Sequence, residues 1–160
     1  MNAAADRRNW MRTLMVYVVA SVPTGVMVVP DGDDVAPPTG QAQWVRVQVD
    51  DVTARGAGLR GANRTAERRL LVTADCFTRG AQLDGVSAVD AIDGLAAAVC
   101  SALTNLSLPL KDYVSDGTGA TTIANAPLRT IEPATVRPLP SIAGIQRRQV
   151  LAPAVIIHEV

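Results

Sequence analysis

Arg55, Arg60, Arg64, Arg68 and Arg69 fall within fifteen residues, and Glu67 is the sole counter-charge between Arg55 and Leu71. A guanidinium is a planar fork that grips carboxylates and phosphates through paired N–H groups, so an arginine cluster points to anionic partners. Two uses are open: contact with a neighbouring subunit's acidic surface, or the lining of a channel through which DNA passes. A merely solvated loop is the third reading. Asp31, Asp33, Asp34, Asp50 and Asp51 would make a complementary patch in a homo-oligomer. Lys111 is the single lysine among fifteen basic residues, a bias that a GC-rich coding sequence also produces.

The other chemical motifs are weak. Gly56-Ala57-Gly58-Leu59-Arg60-Gly61 matches GxGxxG, and Asp75 follows nineteen residues after Gly56. A dinucleotide fold needs a first strand buried on both faces, yet Arg46, Gln48, Asp50 and Asp51 make the preceding strand half polar. Residues 62–69, where the next helix would lie, offer almost no apolar stripe. Asp31-Gly32-Asp33-Asp34 could face a hard cation, but no glutamate stands at the twelfth position of an EF-hand loop, so a solvated turn is expected. His158 is the only histidine, and Cys76 and Cys100 form no CxxC unit, which argues against a zinc site built from one chain. Two buried free thiols are expected, with a disulfide left open. GxSxG and HExxH are absent, and the formal glycosylation sequons at Asn63 and Asn105 carry no weight without a secretory context. No catalytic residue, cofactor site or metal site is expected.

The 160 residues are 48% hydrophobic, 19% charged and 3% aromatic, which excludes a disordered tail and a highly charged nucleic-acid module. Trp10, Tyr17, Trp44, Phe77 and Tyr113 are too few to interleave with bases along a strand, and a formal net charge of zero gives no global attraction to DNA. Arg7-Arg8-Asn9-Trp10-Met11 before an apolar stretch loosely resembles a twin-arginine leader. Pro23-Thr24-Gly25 breaks that stretch, so a helix packed on a sheet is expected, and no membrane partner.

The elements follow from spacing. A helix is expected over 5–22, with Met11, Met15, Val18 and Val22 on one face and Trp10, Leu14 and Tyr17 beside them. A short strand over 26–29 ends at Pro30-Asp31-Gly32. Residues 44–52 alternate, Val45, Val47 and Val49 against Arg46, Gln48 and Asp50, as a strand with one wet face does. A second strand over 70–77 closes a hairpin whose long loop, 53–69, carries the arginines; such length often marks a functional contact. Ser87 and Asp90 form a capping box for a second helix through Ile92, Leu95, Ala96, Val99, Leu103 and Leu106, stopped by Pro109. Gly94 lowers its propensity and leaves room for close approach to the sheet. Asp116-Gly117-Thr118-Gly119 is a turn. Residues 128–136 alternate like a strand interrupted at Pro133. The last strand, 149–160, holds Val155-Ile156-Ile157, expected to be buried on both faces, with Pro153 at an edge or bulge. One domain over 1–160 results: α+β, a mostly antiparallel sheet with two helices packed on one face.

This layout resembles the tail terminator, or tail-completion, proteins of long-tailed bacteriophages. The resemblance is carried by the opening helix, Trp44-Val45-Arg46-Val47, the Gly/Arg-rich hairpin, and Arg68-Arg69-Leu70-Leu71-Val72 leading to Phe77. The helix capped by Ser87 and the closing strand after Gln146-Arg147-Arg148 complete it. It implies a virion structural protein, a homo-hexameric ring that caps the tail tube and joins tail to head. Its partners would then be the tail tube protein and the head–tail connector or neck protein, with DNA passing through the lumen unread. Such a protein is assembled in the host cytoplasm and ends at the head-proximal end of the tail. The family has no catalytic signature to carry over. Residues 109–141 exceed a minimal member and are expected as an added arm or hairpin. Another neck protein, an exported binding domain and, least favoured, a dinucleotide-binding enzyme are the alternatives.

Overall fold

The computed structural model describes residues 4, 6–30, 38–52 and 65–159, the side chains of 65, 66, 158 and 159 excepted. Helix α1 (Arg7–Ser21) is followed by β1 (Met27–Pro30), β2 (Gln43–Asp51) and β3 (Thr65–Arg79). A small ribbon, β4 (Gln82–Leu83) and β5 (Val86–Ser87), leads into α2 (Ala88–Leu103). Strands β6 (Ser107–Lys111), β7 (Thr122–Thr130), β8 (Thr135–Ile142) and β9 (Ile145–Glu159) complete the chain. The strands of the main sheet lie in the order β1-β2-β3-β9-β7-β6, with β8 also paired to β9. Every pair is antiparallel except β1 with β2. The fold is α+β, as expected from the sequence.

Period-two alternation sorts the sheet into two faces. Val45, Val47 and Val49 of β2 stand opposite Cys76, Ala74 and Val72 of β3, and Ala74, Val72 and Leu70 stand opposite Val150, Ala152 and Ala154 of β9. All are buried, and they share one cluster with Trp10, Leu14 and Val18 of α1 and Ile92, Leu95, Ala96, Val99 and Leu103 of α2. Both helices therefore cover this face, where each fully buried Val or Leu contributes about 1.5–3 kcal/mol. The sheet is strongly curled, and α1 packs against β1 and β2 at one margin and β6 at the other.

That position explains the buried face of α1. It is Trp10, Leu14 and Val18 with polar Asn9 and Thr13, while Met11 and Met15 lie at its flank. Thr13 Oγ1 accepts the outward N–H of Lys111 (3.0 Å) and Asn9 Oδ1 accepts that of Tyr113 (2.7 Å). Two donors that the edge of β6 would leave bare are thus satisfied by the helix. Asp6 caps α1 by accepting from Arg8 N–H (2.9 Å).

Several expectations are corrected. Helix α2 begins at the expected capping box, Ser87 Oγ accepting from Asp90 N–H (3.1 Å), but stops at Leu103 rather than at Pro109. Asn105 adopts a left-handed φ of 55° and turns the chain, so Leu106 follows the helix and Pro109 belongs to β6. Gly94 faces open space and makes no close approach to the sheet. Strand β3 begins at Thr65, not Leu70, and β9 at Ile145, not Gln149, because the two pair along their full lengths. Residues 109–141 are largely sheet, with Leu110, Ala126 and Leu128 in the core. Ile156 is buried but Ile157 is half exposed, since only one face of β9 meets the helices.

Pro153 lies within central β9 rather than at an edge. Its carbonyl accepts from Ile131 N–H (3.0 Å), so its nitrogen faces the same side, in the gap where β9 exchanges β8 for β7. The same alternation directs the ladder bonds of β9's odd residues to β8, whose own odd residues answer them. Pro138 then points its nitrogen outward, and the free edge of β8 lacks a donor there; Pro140, which has no N–H either, lies at the register shift between Leu139 and Ile142.

Candidate functional site

The arginines singled out in the sequence do not form one loop. Arg55, Arg60 and Arg64 lie outside the described residues, as do the GxGxxG stretch and the Asp31 to Asp34 run. Arg68 and Arg69 are on β3, and consecutive strand residues point to opposite faces. Arg68 Nη1 bridges Asp51 Oδ2 at 2.8 Å, tying the ends of β2 and β3 together. Arg69 Nε donates to Glu67 Oε1 (2.8 Å) and stands opposite Val155, whose other neighbour is Arg129. Asp50, from the proposed acidic patch, stands 3.9 Å from Arg7 Nη2, while Arg7 Nε donates to Val49 O (3.1 Å).

Arg69 leads to the sheet face that no helix among the described residues covers. Leu71, Leu151, Pro153, Val155 and Ile157 form an apolar strip along β3 and β9 there, half-buried to exposed, with Arg69, Glu67, Arg129 and Asp50 around it. A groove of about 450 Å³ opens at one end, lined by Asn125, Pro127, Arg129, Val155 and Ile157. An apolar centre with a charged rim is the composition of a protein contact surface.

The other end of this face holds a second cluster. Trp44 and Phe77, cross-strand neighbours, stack at 4.9 Å and 8° between planes, with Val29 and Ile145 against them. The guanidinium carbons of Arg46 and Arg147 stand 5.6 Å and 5.7 Å from the Phe77 ring centre, and that of Arg79 stands 5.3 Å from Trp44's. Asp75, the would-be ribose ligand, accepts Gln149 Nε2 at 2.6 Å in the adjacent row. The sequence carried a signal for this cluster: Trp44 and Arg46, like Phe77 and Arg79, are two apart on a strand and so share a face. The pairing of β3 with β2 on one side and β9 on the other, which unites them with Arg147, had no local signature.

Among the titrating groups, burial pushes the Cys76 thiol up to about 12, with Asp75 adding to the shift. It is a core residue, and both cysteines are free. Cys100 Sγ donates to Ala134 O (3.3 Å). Asp116 accepts the N–H groups of Thr118, Gly119 and Thr121 and is held below the carboxylate range chiefly by the bonds from Gly119 and Thr121. Asp112 is lowered in the same way, first by Ser115. These carboxylates knit the loop between β6 and β7. His158 is in β9 opposite Ala66, its side chain outside the described set. Among the described residues, no group of three or more His, Cys, Asp or Glu side chains could hold a metal ion, and no helix is long and apolar enough to cross a membrane.

No family model matches the sequence, and no curated protein is similar to it. Four chains of solved structures are similar, one of them over 94% of this chain and 92% of its own, at 14% identity and a TM-score of 0.53. At that identity the likeness shows the fold alone.

Proposed function

We propose that the chain is a virion structural protein, a tail-terminator-like subunit of a homo-hexameric ring that caps the tail tube and joins tail to head. The observation that carries this reading is the uncovered sheet face, with its apolar strip and charged rim. A sheet that buries one face under two helices has no intramolecular need for leucine, valine and isoleucine on the other.

The strand edges support assembly through faces and loops rather than through edge pairing. The edge of β6 is answered by Thr13 and Asn9, that of β8 is blunted by Pro138 and Pro140, and β1 is four residues long and ends in Pro30. In a ring, the strip on β3 and β9 meets the neighbouring subunit, and Arg69 and Arg129 at its rim meet that subunit's carboxylates. The tail tube and the neck protein are the partners on the two sides of the ring, and DNA passes through the lumen.

Light scattering and electron microscopy of the purified protein test the reading. A ring six times the mass of the chain, alone or on added tail tubes, is the expected result. A strict monomer at high concentration in the presence of tubes would overturn it.

A further inference from the structure

The Trp44–Phe77 stack and its arginines are a separate feature from the apolar strip. A guanidinium that rests its face on a ring leaves its N–H edge pointing away from the ring, and that edge is the one that grips a carboxylate as a fork. Arg46, Arg79 and Arg147 place guanidinium groups around one ring pair, Arg79 Nη2 also donating to Pro38 O (3.4 Å). Trp44 is 1% exposed, yet among the described residues its Nε1 has no acceptor, Arg147 Nε is a second buried donor without one, and Gln149 Oε1 is a buried acceptor without a donor. Proteins rarely keep such groups unless something else completes them. Opposing charge is scarce among the described residues. In the two strand rows that run Trp44–Phe77–Arg147–Leu139 and Arg46–Asp75–Gln149–Arg137, Asp75 is the only carboxylate, and its Oδ1 already accepts from Gln149.

We propose that this cluster recognises an acidic peptide segment of a partner protein, whose carboxylates lie against the guanidinium groups around the ring pair. Nucleic acid fits less well. The rings are 1% and 7% exposed, so no base stacks on them, and a chain of zero net charge draws no phosphate polymer from a distance. The inference goes beyond the ring reading and does not depend on it, since a monomer presents the same cluster.

The test uses the full chain and three probes: hexa-aspartate, hexa-asparagine, and an oligothymidylate carrying the same charge as the aspartate peptide. Calorimetric titration, with tryptophan emission followed in parallel, gives the affinities. Hexa-aspartate is expected to bind saturably and shift the emission, while hexa-asparagine does neither. Arg147→Met and Arg79→Met, each shown folded by circular dichroism and thermal melting, should weaken binding about tenfold, the loss of one charge-assisted fork. Arg12→Met, which removes a guanidinium lying over Tyr113 instead, should leave it unchanged. Absence of saturable aspartate binding, undiminished binding by both folded variants, or tighter binding of the oligonucleotide than of the peptide would each overturn the proposal.

Discussion

At the scale of single residues, two positions carry stability that burial patterns alone do not reveal. Cys76 is fully buried in β3, and its thiol titrates at about 12 instead of the ordinary 9.0. The folded state therefore holds the proton more tightly than the unfolded chain. The stability this confers is complete below pH 9 and drains away as the pH rises from about 9 towards about 12, at up to about 1.4 kcal/mol per unit. Cys76→Val removes the titrating group while keeping an apolar side chain. Urea melts of the two proteins should diverge between pH 7 and pH 10.5, the variant losing less stability; parallel pH profiles would refute the assignment. Ala143 is the second position. It and Gly144 form the two-residue turn joining β8 to β9, with φ values of 49° and 74°. Positive φ at both central residues is the hairpin geometry that matches strand twist, and in adopting it alanine brings its Cβ too close to the following carbonyl oxygen. Ala143→Gly should raise stability by about 1 kcal/mol, read as a higher urea midpoint at unchanged slope.

At the scale of elements, legibility followed where the stabilising interaction lies. Helix α2 carries its own instructions, a capping box and an apolar stripe, and both are seen in the structure. Its Gly94 is a remaining local weakness: it sits in open space, so Gly94→Ala should gain about 0.8–1 kcal/mol from helix propensity alone, measurable by thermal or urea unfolding. The ends of β3 and β9 were illegible for the opposite reason. Thr65-Ala66-Glu67-Arg68-Arg69 and Ile145-Gln146-Arg147-Arg148-Gln149 show no strict apolar alternation, and their strand conformation rests on the ladder each makes with the far end of the other hairpin arm. That partnership spans some eighty residues of sequence and leaves no periodic trace. Pro109 misled for a related reason: a proline reads as a helix stop wherever it follows an apolar stripe, although Asn105 had already turned the chain. The loop between β6 and β7 is likewise held by specific bonds. Asp116→Ala removes the acceptor for three N–H groups, so hydrogen exchange should quicken at Thr118, Gly119 and Thr121 while the β3–β9 ladder stays protected. Because folding lowers the Asp116 carboxyl, the wild-type loop should lose this protection as the pH falls below the ordinary carboxylate range, and the variant should show no such step.

At the scale of the whole molecule, the two faces of one sheet have different tasks. The face carrying Val45, Val72 and Ala152 is consumed by α1 and α2 and decides whether the chain folds. The opposite face is left with an apolar strip at one end and an arginine-flanked aromatic pair at the other, and the surrounding edges are protected against strand addition. On the ring proposal, folding and association are separable by mutation. Ile157 is 49% exposed on the uncovered face, so Ile157→Asp takes little from the core and places a charge at the groove end of the strip. The expected outcome is a protein with the wild-type melting curve when both are compared as monomers, within about 0.5 kcal/mol, and with assembly weakened at least tenfold by light scattering. Val16, an exposed residue of comparable size on α1, is the control: Val16→Asp should leave assembly intact. If the two substitutions disturb association equally, the uncovered sheet face is not the contact. If Ile157→Asp unfolds the monomer, the strip is part of the core, and the division of the sheet into a folding face and an assembly face fails.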